Sequence, residues 1–153
     1  MPPPPPDEHG AVLHAVVPTT MDVIPCVRRL TEGLLACEGW SDDDAADAGL
    51  VVTELLQNAI EHGSRDDASE TVACRLAALP GRAVRIEVTD PGTGRGYEAL
   101  ASRDVTKPPP LDAIRGRGLF LVHRMAEALS HARASSGGAV VSARLRAAGT
   151  AAS

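Results

Sequence analysis

The residues from Ser41 to His62 keep one helical pattern of apolar positions without a proline, and they form the longest element that the sequence predicts. Ser41 is a favourable N-cap residue, and the three aspartates that follow it suit the positive end of a helix dipole. Gly63 supplies a C-terminal stop, and we expect His62 to cap the last carbonyl groups. Any fold must therefore bury one side of this long helix.

The other side of the same helix is polar. At about 100° per residue, Glu54, Asn58 and Glu61 share one narrow face, opposite Val52, Leu55, Leu56 and Ala59. Such a stripe is typical of the solvated face of an amphipathic helix. The chemical alternative is that the oxygen of Asn58 holds a magnesium ion, while Glu54 orients or deprotonates a hydroxyl group that attacks a phosphoryl group.

Shorter runs supply the rest of the fold. We expect one domain over residues 11–147, between a disordered proline-rich tail (residues 1–10) and a flexible C-terminal tail (residues 148–153). The order favours an α+β, two-layer α/β sandwich, with a mixed, mostly antiparallel sheet and helices on one face. The predicted elements are a strand at Ala11–Thr20, a helix at Asp22–Cys37 with Val23, Val27, Leu30 and Leu34 on its apolar face, a hairpin of Thr71–Leu79 and Ala83–Asp90, a helix at Gly116–Ser130 and a last strand at Gly138–Ala147.

Composition excludes several classes of function. The aromatic content of 2% and the formal charge of -5 argue against direct nucleic-acid binding and against an anionic membrane surface. No apolar run is long enough to span a bilayer, so we expect a cytoplasmic protein. Three scattered cysteines, Cys26, Cys37 and Cys74, lie in apolar surroundings, and we interpret them as reduced core residues.

Two glycine-rich segments could bind a nucleotide. In "DPGTGRG", Asp90 follows a strand and stands beside Gly92 and Gly94, so it either caps a turn or accepts a hydrogen bond from an exocyclic amine such as that of adenine. In "GRGLFLV", Gly116 and Gly118 precede a helix whose free N–H groups could hold a phosphate. Neither segment completes the dinucleotide-binding GxGxxG motif, and no GK[ST] motif of a P-loop is present.

Taken in order, ExxxN on a long helix, DxGxG after a strand and GxG before a helix resemble the N, G1 and G2 boxes of the histidine-kinase-like ATPase (GHKL) superfamily. The short chain and the segment "TELLQNAIEHG" are most similar to its anti-sigma factor serine/threonine kinases. The resemblance covers Ala11 to Arg146, and it implies the Bergerat-type ATP-binding fold with ATP and Mg²⁺ as cofactors.

The resemblance also implies roles for individual residues. Glu54 matches the catalytic base, Asn58 the magnesium ligand and Asp90 the residue that reads adenine. The remaining nucleotide-binding candidates are Gly92 and Gly94 beside the base, Gly116, Gly118 and Leu119 at the phosphates, and Lys107, Arg115 and Arg117, which either pair with phosphate or are solvated charges. The segment Tyr97–Arg115 matches the ATP lid, and Arg28 or Arg29 is placed where the family meets its partner protein.

These roles imply a kinase that transfers the ATP γ-phosphate to an anti-sigma-factor antagonist of the STAS type and sequesters a sigma factor, and the family also suggests a homodimer. One departure supports an alternative. Ala139 and Val140 stand where the family commonly has a threonine that supports the adenine pocket. The protein could instead be a nucleotide-dependent binding module without phosphotransfer, and a detached histidine-kinase catalytic domain is a third interpretation.

Overall fold

A computed structural model gives the fold and describes residues 10–64, 69–113 and 117–148. Five strands form one sheet in the order β1-β2-β3-β5-β4, and each neighbouring pair is antiparallel. The predicted α+β class and its antiparallel hairpin are confirmed, whereas most of both predicted tails lies outside the described residues. The elements are β1 (Val12–Pro18), α1 (Ile24–Cys37), α2 (Asp42–Gly63), β2 (Thr71–Leu79), β3 (Ala83–Thr89), α3 (Gly96–Ala101), α4 (Gly118–Met125), β4 (Ala128–Arg133) and β5 (Ala139–Arg146), with a short 3₁₀ turn at Met21–Val23.

The long helix α2 is the centre of the helical layer. It contacts α1, α3 and α4 and also packs on β2, β3 and β5. The side chains of Leu55 and Leu56 have no exposed surface, and burial of each contributes roughly 2 kcal/mol. Ser41 caps the helix as predicted, because its hydroxyl oxygen accepts a 3.1 Å hydrogen bond from the N–H of Asp44. Packing on both sides therefore fixes the rotation of α2 and the direction of its polar stripe.

The apolar face of α1 differs from the predicted one by about one residue. Thr31 is fully buried, and its hydroxyl donates a 2.8 Å hydrogen bond to the carbonyl of Val27, whereas Leu30 is 48% exposed. Cys26 and Cys37 are exposed and only Cys74 is buried, so the predicted core location is wrong for two of the three cysteines. The two exposed cysteines are eleven residues apart, which places them on the same outward side of a helix.

The predicted helix at Gly116–Ser130 is wrong in its second half. The helix α4 ends at Met125, Ala126 has extended backbone angles, and Ala128–Arg133 pairs with β5 as an edge strand. The predicted connection after Tyr97 likewise contains the short helix α3. No helix in the described ranges is long and apolar enough to cross a membrane.

Candidate functional site

The end of β3 places Asp90 beside the C-terminal end of α2. Asp90 is only 5% exposed, its Oδ1 accepts a 2.9 Å hydrogen bond from the N–H of Gly92, and its own N–H donates to the carbonyl of Ala139 at 3.1 Å. Burial raises the pKa of the Asp90 carboxyl, and backbone hydrogen bonds from Ala139 and Gly92 oppose that shift. A carboxylate held this firmly can act as a directed hydrogen-bond acceptor for an exocyclic amine.

Glycines surround this carboxylate because no larger residue fits. A Cβ atom on Gly63 or on Gly96 would collide with the carboxylate of Asp90. A Cβ atom on Gly138 would meet both its Oδ1 and its main-chain oxygen. Three separate segments, the end of α2, the start of α3 and the turn before β5, thus converge on one acidic side chain. Their missing side chains let the backbone approach the carboxylate closely and fix its position.

The glycine loop is tied to α2 by backbone hydrogen bonds. The N–H groups of Gly94 and Arg95 donate to the carbonyls of Gly63 and His62, at 3.1 Å and 2.8 Å, and the Ser64 hydroxyl donates to the carbonyl of Ile60 at 2.7 Å. These donors take the carbonyls of Ile60, His62 and Gly63, and within the described residues the His62 side chain forms no hydrogen bond to the helix end, so the predicted capping by this side chain is not observed. These backbone hydrogen bonds therefore fix the position of the loop that carries Asp90 relative to the helix that carries Glu54.

A second group of residues surrounds Glu54. A Cβ atom on Gly118, at the start of α4, would collide with the Glu54 carboxylate. Both residues line a cleft of about 390 Å³ whose other lining residues are Pro108, Pro109, Leu111, Arg117, Phe120 and Leu121. Burial raises the pKa of Glu54, and the charge of Glu61 on the same face adds to the shift. A carboxylate with a raised pKa is a stronger proton acceptor, as a general base requires.

Asn58 lies between these two groups along α2. It is one helical turn after Glu54 and five residues before Gly63, or about 6 Å and 7.5 Å along the axis. Its side chain is half-buried and makes no hydrogen bond within the described part of the chain. In that same part, no cluster of three or more His, Cys, Asp or Glu residues could hold a metal ion. A lone amide oxygen fits Mg²⁺, which keeps most of its water and phosphate ligands.

The remaining predicted nucleotide-binding residues occupy different surroundings. The side chain of Lys107 is 80% exposed and forms a 3.6 Å ion pair with Asp104, outside the cleft lining. Arg117 lines the cleft, and its Nη2 donates a 2.8 Å hydrogen bond to the carbonyl of Leu111. Leu119 is buried in the core, so only its main chain could face a ligand. Arg115 and Gly116 lie outside the described residues.

The two arginines that were candidates for partner binding lie on α1, away from both groups. Arg28 forms a 3.0 Å ion pair with Glu32, and the two side chains pack over Gly49 of α2. Arg29 is exposed and forms no ion pair within the described ranges. Of the two, Arg29 has the side chain available to another protein.

Sequence reasoning missed several residues of this region. It assigned Gly63 only to helix termination, and it gave no role to Gly96, to Gly138 or to the apolar lining of the cleft. The third glycine of "PGTGRG" and the paired glycines before a buried strand were the available signals. The cleft lining comes from the lid and from α4, which only tertiary structure brings together.

Comparison with known proteins agrees with this arrangement. The family described as "Histidine kinase-like ATPase domain" matches residues 17–145. The "Serine-protein kinase RsbW" of Staphylococcus aureus (strain Newman) is 25% identical over 113 residues, which are 71% of each chain.

Two solved structures share the fold. The RsbU and RsbW domains of Rv1364c from Mycobacterium tuberculosis match with a TM-score of 0.65 and 22% identity, over 90% of this chain and 33% of that one. The SiaB–SiaC complex from Pseudomonas aeruginosa matches with a TM-score of 0.62 and 18% identity, over 87% and 88% of the two chains.

The family match spans most of the chain and includes both glycine-rich segments and the polar stripe of α2. The two solved structures support the same fold. The chain belongs to the histidine kinase-like ATPase domain family and is similar to its RsbW serine-protein kinases, as the three motifs predicted.

Proposed function

We propose that this protein is an ATP-dependent protein serine/threonine kinase that phosphorylates an anti-sigma-factor antagonist of the STAS type and sequesters a sigma factor. The observation that carries the proposal is the contact between Glu54 and Gly118. It places a candidate base directly against the start of a helix, where free N–H groups and the helix dipole favour phosphate. The similarity to the RsbW serine-protein kinases supports the same activity.

Each part of the nucleotide is assigned to a different residue or segment around α2. Asp90 would accept a hydrogen bond from the adenine amine, and the glycines around it let the backbone pack directly against its carboxylate and hold it in place. Asn58 supplies one oxygen ligand to Mg²⁺, and the backbone N–H groups that begin α4 hold phosphate oxygens. When bound, magnesium-complexed ATP supplies the phosphoryl group and neutralises part of its charge. Glu54 accepts the proton of the acceptor hydroxyl, for which its raised pKa is suited.

The partner proteins would meet the outward face of α1. Arg29 and Leu30 are exposed there, and Leu30 is a large apolar residue that the fold leaves 48% accessible. Arginine is enriched among binding hot spots, and Leu30 adds exposed apolar surface beside Arg29. The structure of similar fold from Pseudomonas aeruginosa is that of a SiaB–SiaC complex, which supports a protein partner for this chain.

The test is transfer of labelled phosphate from ATP to the antagonist. We expect Glu54→Gln to lower the transfer rate by roughly 100-fold, which is typical for loss of a general base. Glu61→Gln is the matched control, because it removes the same charge from the same helix face at an exposed position; it also removes one cause of the raised pKa of Glu54, so its rate should fall far less than that of Glu54→Gln but need not equal the wild-type rate. Equal rates for wild type and Glu54→Gln would reject the assigned role. An acid-stable phosphoprotein distinguishes phosphoserine from the phosphohistidine of a histidine kinase.

A second candidate is a nucleotide-dependent binding module without phosphotransfer. Ala139 favours it, because this residue is 3% exposed, contacts Asp90 through the backbone and has no hydroxyl group to support a bound base. The module predicts that magnesium-complexed ATP changes the affinity for the partner while no phosphate is transferred. Calorimetric titration of the partner, with and without ATP, combined with the transfer assay separates the two functions.

A further inference from the structure

Arg133, at the end of β4, contacts two other segments near Asp90, the helix α3 and the turn between β4 and β5. Its Nη2 pairs with Oε1 of Glu98 at 3.2 Å, and its guanidinium carbon lies 4.2 Å from the ring centroid of Tyr97. Its Nη1 donates a 3.3 Å hydrogen bond to the carbonyl of Gly137 in the turn between β4 and β5. One side chain thus holds α3 and this turn together.

Arg133 is connected to Asp90 in two ways, and the first is a chain of contacts through α3. The Tyr97 ring contacts both the guanidinium and the His131 ring, whose centroid is 5.9 Å from that of Tyr97. Tyr97 directly follows Gly96, and a Cβ atom on Gly96 would collide with Oδ2 of Asp90. The position of Tyr97 therefore controls how closely the backbone covers one side of the carboxylate.

The second chain of contacts from Arg133 to Asp90 runs through the turn between β4 and β5. Gly137 precedes Gly138, and a Cβ atom there would meet Oδ1 and the main-chain oxygen of Asp90. Arg133 also faces Ala139 in the strand register, and the backbone of Ala139 is hydrogen-bonded to Asp90. On both sides of the carboxylate, the glycine that packs against it thus directly adjoins a residue that the Arg133 side chain contacts.

We propose that Arg133 is a positioning residue that fixes Asp90 between α3 and the β4–β5 turn and so sets the preference of the site for the adenine amine. This inference rests on the proposed nucleotide site. The guanidinium suits the role because its planar fork binds a carboxylate and a carbonyl while its face stacks on a ring. A lysine at this position would keep the charge and lose that geometry.

The experiment compares ATP with inosine triphosphate, which carries an oxygen in place of the exocyclic amine. Calorimetry with magnesium measures the Kd of each nucleotide for wild type, Arg133→Ala and Arg133→Lys. We expect both variants to bind ATP roughly tenfold more weakly and inosine triphosphate as wild type does, so that the preference for ATP falls. The melting temperature should change little, because the side chain of Arg133 is 48% exposed.

Arg146→Ala is the matched control. Arg146 also pairs with a glutamate, Glu127 at 2.6 Å, and donates to a turn carbonyl, Gly81 at 2.8 Å, but at the opposite end of β3 from Asp90. It should leave the ATP preference unchanged. An unchanged preference in Arg133→Ala, or an equal loss of affinity for both nucleotides, would overturn the inference. Failure of the wild-type protein to bind ATP would reject the proposed nucleotide site itself.

Discussion

Substituting Gly118 by alanine tests whether the start of α4 and Glu54 act together. The added methyl group would overlap the Glu54 carboxylate, which must move by roughly 1.4 Å to reach ordinary contact distance. Glu54 is half-buried and its side chain can rotate, so the fold can accommodate the change. The stability should therefore change by less than about 1 kcal/mol, since alanine is also the better helix former.

The effect on phosphate transfer should be much larger. A misplacement of about 1 Å in a catalytic group can lower a rate by roughly 100-fold, or about 2.7 kcal/mol of activation free energy. The assay is single-turnover transfer of labelled phosphate to the antagonist, together with the calorimetric Kd for ATP and the melting temperature. We expect the rate to fall by about 100-fold while the ATP affinity stays within about threefold of wild type.

A double-mutant cycle isolates the cause. In a Glu54→Ala background the added methyl group has no carboxylate to displace, so Gly118→Ala should lower the residual rate by less than about twofold. A full 100-fold loss in that background would mean that Gly118 acts through another group. An unchanged rate in the single variant would refute the role given to the contact.

Further predictions concern stability and accessibility. The pKa of Glu54 is raised in the folded state, so the stability that its protonated form contributes is complete below about pH 4.5, the ordinary pKa, and is lost as the pH rises through the raised pKa. In urea unfolding at pH 8, Glu54→Gln should therefore be more stable than wild type. A less stable variant would contradict this. Gly94→Ala should lower the free energy of unfolding by about 1–3 kcal/mol, because its Cβ atom would meet the backbone of His62, Gly63 and Ser64, which cannot rotate away, and wild-type stability would refute that packing. Thiol titration of the native protein should find Cys26 and Cys37 reactive and Cys74 protected until unfolding, since burial raises the pKa of Cys74 to about 12; rapid reaction of all three would contradict the fold.

The elements with strong periodicity were predictable from the sequence. The helix α2 and the β2–β3 hairpin were found because their core residues repeat regularly and their ends carry a Ser cap or a Pro-Gly turn. The predicted apolar face of α1 was wrong by about one residue because Thr31 is buried. Its hydroxyl can be buried since it donates a hydrogen bond to the Val27 carbonyl, and hydrophobicity alone does not reveal this bond. The same error explains why Cys26 and Cys37 were predicted to lie in the core although they are exposed.

Strand β4 could not be found for a different reason. It lies at the edge of the sheet and most of its residues are exposed, so its sequence lacks the alternation of a buried strand. Pairing with β5 determines the structure of this segment, and the local sequence pattern does not indicate which strand it will pair with. For the candidate site, motifs were sufficient to propose Glu54, Asn58 and Asp90, and their roles remain predictions. The convergence of Gly63, Gly96 and Gly138 on Asp90 depends on tertiary contacts that no motif contains.

The most direct test of the site is calorimetric titration of the protein with ATP and magnesium. One nucleotide should bind per chain, and Glu54→Gln should bind it as wild type does. Asp90→Asn should bind it at least about tenfold more weakly, because an amide whose oxygen accepts the Gly92 N–H turns its own N–H groups toward the adenine amine. No binding to the wild-type protein, or equal affinity for wild type and Asp90→Asn, would contradict the proposed nucleotide site.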